Sequence, residues 1–168
     1  MDIISEVFEP TVDNQRPYRN ALGSVATGVT VVTTLTDTGP IGMTANSFSS
    51  VSLDPPMVLW CPAKSSDRFV PFTEARHYAI HVLRHDQYDL ALAFARRADA
   101  FDMVDVMPGP DEAPVFDDCL ARFECSTAAA HDAGDHVIMV GHVTRVLLNE
   151  GAPLIWSQRD YGTFASGV

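Results

Sequence analysis

The sequence predicts a mainly β protein, an antiparallel barrel that is closed or half-closed, with a few short helices. Three observations carry this. Short runs rich in β-branched and apolar residues recur along the chain, among them 28–35, 57–61 and 78–83. Turn signals separate them, such as Asp37-Thr38-Gly39-Pro40 and Asp54-Pro55-Pro56. The clearest helical period is confined to Asp86–Arg97, so most strands are not joined by the long crossovers that a parallel sheet needs.

Taken in order, residues 1–13 read as an acidic tail or docking arm and 14–168 as one domain. Tyr18, Leu22 and Val25 recur at helical spacing and predict a short amphipathic helix over 14–26. Gly28 to Leu35 is dense in Val and Thr and predicts a strand. Ile41 to Ser52 is extended but unusually small and hydroxylated. Met57 to Cys61 reads as a buried strand, Pro62 to Ser66 as a loop, and Asp67 as the cap of a helix to about Ala75. Tyr78 to Leu83 is a further strand. In Asp86–Arg97, Leu90, Leu92, Ala93 and Phe94 gather on one side, with Asp86 and the Arg96-Arg97 pair at the ends that suit the helix dipole. Residues 98–118 hold Pro108, Gly109, Pro110 and Pro114 and form the longest irregular stretch. Strands follow at Leu120–Ala128, Val137–Leu148 and Leu154–Trp156.

A chain of 168 residues can bury a core without disulfide staples. Its 22 acidic side chains outnumber 11 basic ones, a net charge of −11 that argues against sequence-independent nucleic-acid binding and against an anionic membrane surface. The bases are ten Arg and one Lys, Lys64, so an anionic ligand must be held by a local cluster, hydroxyls or backbone N–H groups. Cys61, Cys119 and Cys125 are odd in number and lack CxxC spacing, which predicts neither a disulfide framework nor a zinc ribbon and points to a reducing cytoplasm. The segment Met1 to Glu6 has no apolar signal core, and no run is long enough to span a membrane.

Several enzyme signatures are absent: GxGxxG after a strand, GxxxxGK[ST], GxSxG and HExxH. Four constellations stand out instead. Gly42 to Ser52 could let a flat ligand lie close to the backbone, or could be a barrel strand whose hydroxyls face water. Cys61-Pro62-Ala63-Lys64-Ser65-Ser66 sets the lone lysine beside two serines, as in a phosphate seat or a solvated loop. Phe94-Ala95-Arg96-Arg97 holds the only dibasic pair, suited to an anionic group or to the helix dipole. Ala133-Gly134-Asp135-His136 places an imidazole at a strand start, where it can donate to a ligand or simply mark a turn. His77, His81 and His85 recur every four residues, but His77 and His81 on one strand stand about 13 Å apart and cannot share an ion; no metal is expected.

The ordered set Ala26 to Thr34, Gly42-Met43-Thr44-Ala45-Asn46-Ser47-Phe48, Ser50 to Pro56 and Gly134-Asp135-His136 resembles the short flavin reductases, the reductase components of two-component flavin-dependent monooxygenases. The resemblance runs from about Arg19 to Phe164. It implies an antiparallel split β-barrel, usually a homodimer, that binds FMN or FAD, takes a hydride from NADH or NADPH and passes reduced flavin to a separate monooxygenase. It further implies that Thr44, Ala45, Asn46 and Ser47 line the ring and ribityl chain. Ser50, Cys61, Lys64, Ser65 and Ser66 would hold the middle of the flavin and its phosphate, with Phe94, Ala95 and Arg96 closing the phosphate side. His136 would stand near the nicotinamide as the catalytic residue, and Tyr161 would cover the open ring face. Where the family commonly has Asp-Arg-Phe, this chain has Asp99-Ala100-Phe101, one base fewer. The alternative is a flavin-binding split barrel without turnover, a carrier or sensor. A pyridoxamine-phosphate oxidase would want more bases for a second phosphate substrate.

Overall fold

The computed structural model describes residues 5–109 and 111–167. Met1 to Ile4 of the expected tail, with Pro110 and Val168, lie outside the described residues. Residues 5–10 carry no regular structure, and a 3-10 turn at Val12–Asn14 leads into α1 (Gln15–Leu22).

The Val/Thr run is divided by Val29 into β1 (Thr27–Gly28) and β2 (Thr30–Thr36). The hydroxyl-rich segment is likewise two strands, β3 (Gly39–Ala45) and β4 (Ser49–Leu53), separated by Asn46-Ser47-Phe48. Then come β5 (Pro56–Trp60), α2 (Phe69–Glu74), β6 (His77–Val82) and α3 (Tyr88–Arg96). Two short strands, β7 (Met107–Pro108) and β8 (Pro114–Val115), interrupt the irregular stretch. The chain ends in β9 (Ala121–Ala133), β10 (His136–Leu148), β11 (Leu154–Ser157) and β12 (Asp160–Thr163), the last of which the sequence reading did not anticipate.

Seven strands form the main sheet in the order β3-β2-β6-β9-β10-β5-β4, every pairing antiparallel. Its two ends share one core. Ile41 and Met43 from β3 and Val58 and Trp60 from β5 pack in the cluster that holds Val32, Ile80, Tyr78 and Met139. The sheet is therefore curled on itself, the half-closed barrel that the strand pattern predicts. β1, β11 and β12 form a small second sheet.

β2 is buried on both faces, which is why its sequence reads as a continuous run rather than an alternation. Val32 points into the barrel, while Val31 packs with Leu83, Leu90, Phe94 and Phe116 under α3. Its threonines remain buried because each hydroxyl finds a carbonyl. Thr30 Oγ1 donates to Ala45 O at 2.7 Å, Thr33 Oγ1 to Pro114 O at 2.5 Å and Thr34 Oγ1 to His77 O at 2.8 Å.

Three expectations are corrected. Asp67 does not cap α2, whose N-cap position is Arg68. Asp86 lies before α3 and pairs with Arg84 at 3.1 Å; the N-cap position is Gln87, whose amide donates to Asp118 O at 2.6 Å. The 98–118 stretch is not irregular throughout, because β7 and β8 pair within it and Ala113 to Phe116 are buried. There the guanidinium of Arg122 meets Glu124 at 2.9 Å, donates to Phe116 O at 3.2 Å and pairs with Asp117. No helix among the described residues is long and apolar enough to cross a membrane.

Candidate active site

β3 is an edge strand, so only one side of it is paired in the sheet. On the other side the Gly42 N–H leaves the sheet and donates to Ala98 O at 2.8 Å. By the two-residue period of a strand, the Thr44 N–H points out from the same edge. That edge meets the C-terminal end of α3 at close quarters. A Cβ on Gly42 would stand 2.4 Å from the Phe94 ring, so glycine alone permits the approach. Thr44 Oγ1 donates to Ala91 O at 2.6 Å and fastens strand to helix.

Beyond this seam opens a cleft of about 300 Å³ lined by Val29, Thr44, Ala45, Asn46, Ala95, Trp156 and Tyr161. Tyr161, on β12, packs edge-on against Trp156 at 4.6 Å and Tyr88 at 5.0 Å, and partial burial pushes its phenol above the usual range. The size is at the lower end for small-molecule pockets. Small side chains along a free backbone edge, faced by aromatic rings, suit a flat polar heterocycle: the ring can lie on apolar surface while its rim meets backbone groups.

The Cys61–Ser66 loop adjoins this edge. Cys61 N–H donates to Ser47 Oγ at 2.9 Å, so the Ser47 hydroxyl binds the β3–β4 connection to the end of β5. Burial raises the Cys61 thiol, which makes it a poor nucleophile. Ser66 Oγ accepts from the Arg68 N–H at 3.2 Å. Ser65 and Ser50 are exposed. Arg68, which the sequence reading missed, joins the parts. Its guanidinium donates to Gly42 O at 3.2 Å and to Phe94 O at 2.5 Å, tying the loop to both β3 and the end of α3. A basic residue just after a serine pair was the available signal.

At the helix end, Phe94 is fully buried against Phe101 and contributes packing, not an exposed ring. Ala95 and Arg96 are exposed beside the cleft, and Arg96 has no ion-pair partner among the described residues. Arg97 turns away to Asp99 and Asp102. At the position where a base is missing, Ala100 is buried in the core.

The β9–β10 hairpin brings His136 beside the loop, where Ala63 and His136 form an isolated bridge. Gly134 takes φ +67° in the two-residue turn, a conformation that glycine adopts without steric cost. His136 Nδ1 lies 2.7 Å from Asp135 Oδ1, and this contact holds the Asp135 carboxyl below its usual range. Lys64 does not extend freely from the loop: its ammonium donates to Gly134 O at 2.7 Å and pairs with Asp132. His81, by contrast, is far from any such role. It is wholly buried, with Nδ1 3.1 Å from Val31 O and Nε2 accepting from the Phe116 N–H at 3.2 Å.

Comparison with known proteins gives one consistent result. A family model described as flavin reductase like domain matches residues 22–165. The FMN reductase (NADH) SmoA of Agrobacterium fabrum is 56% identical over 159 residues, covering 95% of this chain and 91% of that protein. The reductase component of the flavin-dependent trigonelline monooxygenase of Acinetobacter baylyi is 45% identical over 134 residues, 79% of this chain and 43% of that longer protein. Among solved structures, the Streptomyces globisporus NADH:FAD oxidoreductase SgcE6, in complex with NAD and FAD fragments, superposes with a TM-score of 0.89 at 34% identity, covering 96% of this chain and 98% of that one.

Proposed function

This chain belongs to the flavin reductase-like family, and from that premise we propose that it is an NADH:flavin oxidoreductase that reduces FMN or FAD for a separate monooxygenase. The observation that carries the reading is the cleft where the free edge of β3, the end of α3 and the Trp156–Tyr161 pair converge.

When bound, a flavin would supply the redox chemistry, acting as hydride acceptor for a nicotinamide held against its ring. The protein's part is orientation and electrostatics. Thr44, Ala45, Asn46 and Ser47 present the backbone edge to the ring and ribityl chain. Their small size permits the close approach, and outward N–H groups there favour negative charge on the bound ring. Ser50, Ser65, Ser66 and the loop amides after Cys61 seat the phosphate, with exposed Arg96 as the cation from the helix end. Ala95 floors the cleft, and Phe94 serves by holding the helix end in place. Tyr161 shields one side of the ring and yields to the nicotinamide. His136 stands at the nicotinamide side, where its imidazole can donate to the carboxamide or a phosphate.

The family resemblance supports a homodimer, and the exposed apolar residues of α1 supply a surface for it. The three free thiols fit a cytoplasmic protein.

The test is an NADH and NADPH consumption assay with riboflavin, FMN and FAD. We expect rapid NADH loss with FMN or FAD and weakening of FMN more than riboflavin binding in Ser65→Ala. Flavin bound without NADH consumption selects the carrier alternative. Neither binding nor turnover would remove the proposal altogether.

A further inference from the structure

Lys64 is the only lysine of the chain, and its contacts converge on one hairpin. Its backbone N–H donates to Asp135 O at 2.9 Å. Its ammonium donates to Gly134 O at 2.7 Å and pairs with the Asp132 carboxylate. On either side, Ala63 bridges His136, and the Val137 N–H donates to Pro62 O at 3.2 Å. The hairpin is acidic, with Asp132 before the turn and Asp135 within it, and Lys64 neutralises Asp132. Two of the three ammonium donors are thereby committed before any ligand arrives.

We propose that Lys64 is a positioning residue, tying the Cys61–Ser66 loop to the 132–136 hairpin so that His136 is held for the nicotinamide, and that it is not a ligand of the flavin phosphate. The inference rests on the flavin reductase reading for the role of His136, but the tie itself is a property of the protein alone. The physical reason is leverage. The turn has two residues and starts β10, so a shift at Gly134 moves His136 directly. A charged donor to a turn carbonyl is stronger than a neutral one. Without it, the hairpin tip keeps only backbone bonds to the loop, and the Asp132 carboxylate, left uncompensated, repels the dinucleotide's pyrophosphate.

The experiment compares wild type, Lys64→Met, Lys64→Arg and the charge swap of Lys64→Asp with Asp132→Lys. In Lys64→Met we expect the KM for NADH to rise about fivefold, the scale of one partly exposed ion pair. FMN and riboflavin dissociation constants should stay within about twofold of wild type. Lys64→Arg and the charge swap should recover most of the loss. Amide hydrogen exchange at 132–136, measured on the protein without flavin, should accelerate in Lys64→Met and return in the swap. A loss of FMN affinity with riboflavin affinity and NADH KM unchanged would overturn the proposal in favour of a phosphate ligand. Unchanged exchange in the hairpin would overturn the tie itself. If wild type consumes no NADH with any flavin, the flavin reductase reading fails separately, and hydrogen exchange still decides the tie.

Discussion

Burial leaves His81 a single comfortable protonation state. Its Nδ1–H donates to Val31 O and its Nε2 accepts from the Phe116 N–H, so a second proton would meet a donor. Desolvation, assisted by Arg122, lowers its pKa from 6.5 to about 3. Between those values the unfolded chain binds a proton that the folded chain refuses. Stability is therefore complete above the unfolded value and is lost as pH falls toward 3, at up to about 1.4 kcal/mol per pH unit. Denaturant melts between pH 7.5 and 5, above the carboxylate range, should show this slope, and His81→Gln should flatten it. An unchanged slope in that variant would assign the effect elsewhere. The histidine spacing was legible in the sequence, and it correctly placed His77 and His81 on one strand. What His81 does was not legible, because Phe116 comes from 35 residues away.

The seam between β3 and α3 shows how an element becomes a site. Apolar periodicity located α3 to within two residues, and the hydroxyl-rich run marked β3 and β4 as unusual. Neither pattern states that the two elements touch. They touch because Gly42 leaves room for the Phe94 ring, which packs edge-on against Phe101, and because Thr44 and Arg68 hydrogen-bond across. Gly42→Ala should destabilise the fold by about 1–3 kcal/mol through overpacking. It should also weaken flavin binding by shifting the cleft wall. Phe94→Leu in the same chain should return part of the stability, read as a midpoint shift in urea. Additive losses in the double variant would show that the two side chains do not compete for that space.

Across the whole molecule, α1 is amphipathic but buries nothing within its own chain: Tyr18 and Leu22 are 44% and 54% exposed, and Val25, expected on the same helix, lies beyond its end at Leu22 and is 65% exposed. An apolar helix stripe left to water is what a partner surface looks like from one side. Sedimentation velocity should give a mass twice that of the chain. Leu22→Asp should shift the protein toward monomer and weaken flavin retention. A wild-type monomer with full activity would contradict the dimer. Net charge of −11 adds repulsion between copies, so moderate salt should favour association.

Period, turn chemistry and side-chain size are local properties, so the antiparallel β class and most strand positions were legible in the chain, whereas β12, which carries Tyr161 into the cleft, was not. The hydroxyl-rich 42–52 segment, the Cys61–Ser66 loop and His136 stood out by residue type, and the family resemblance narrowed the first to Thr44–Ser47. Which side chains are free to meet a ligand emerged only once the chain was folded. Phe94 is spent in the core, Ser47 on Cys61 and Lys64 on Asp132 and Gly134, whereas Arg96 stays unpaired among the described residues and Trp156 joins the wall. The reason is that availability is a matter of long-range neighbours: a hydroxyl or ammonium acts on a ligand with the donors that folding has not already satisfied.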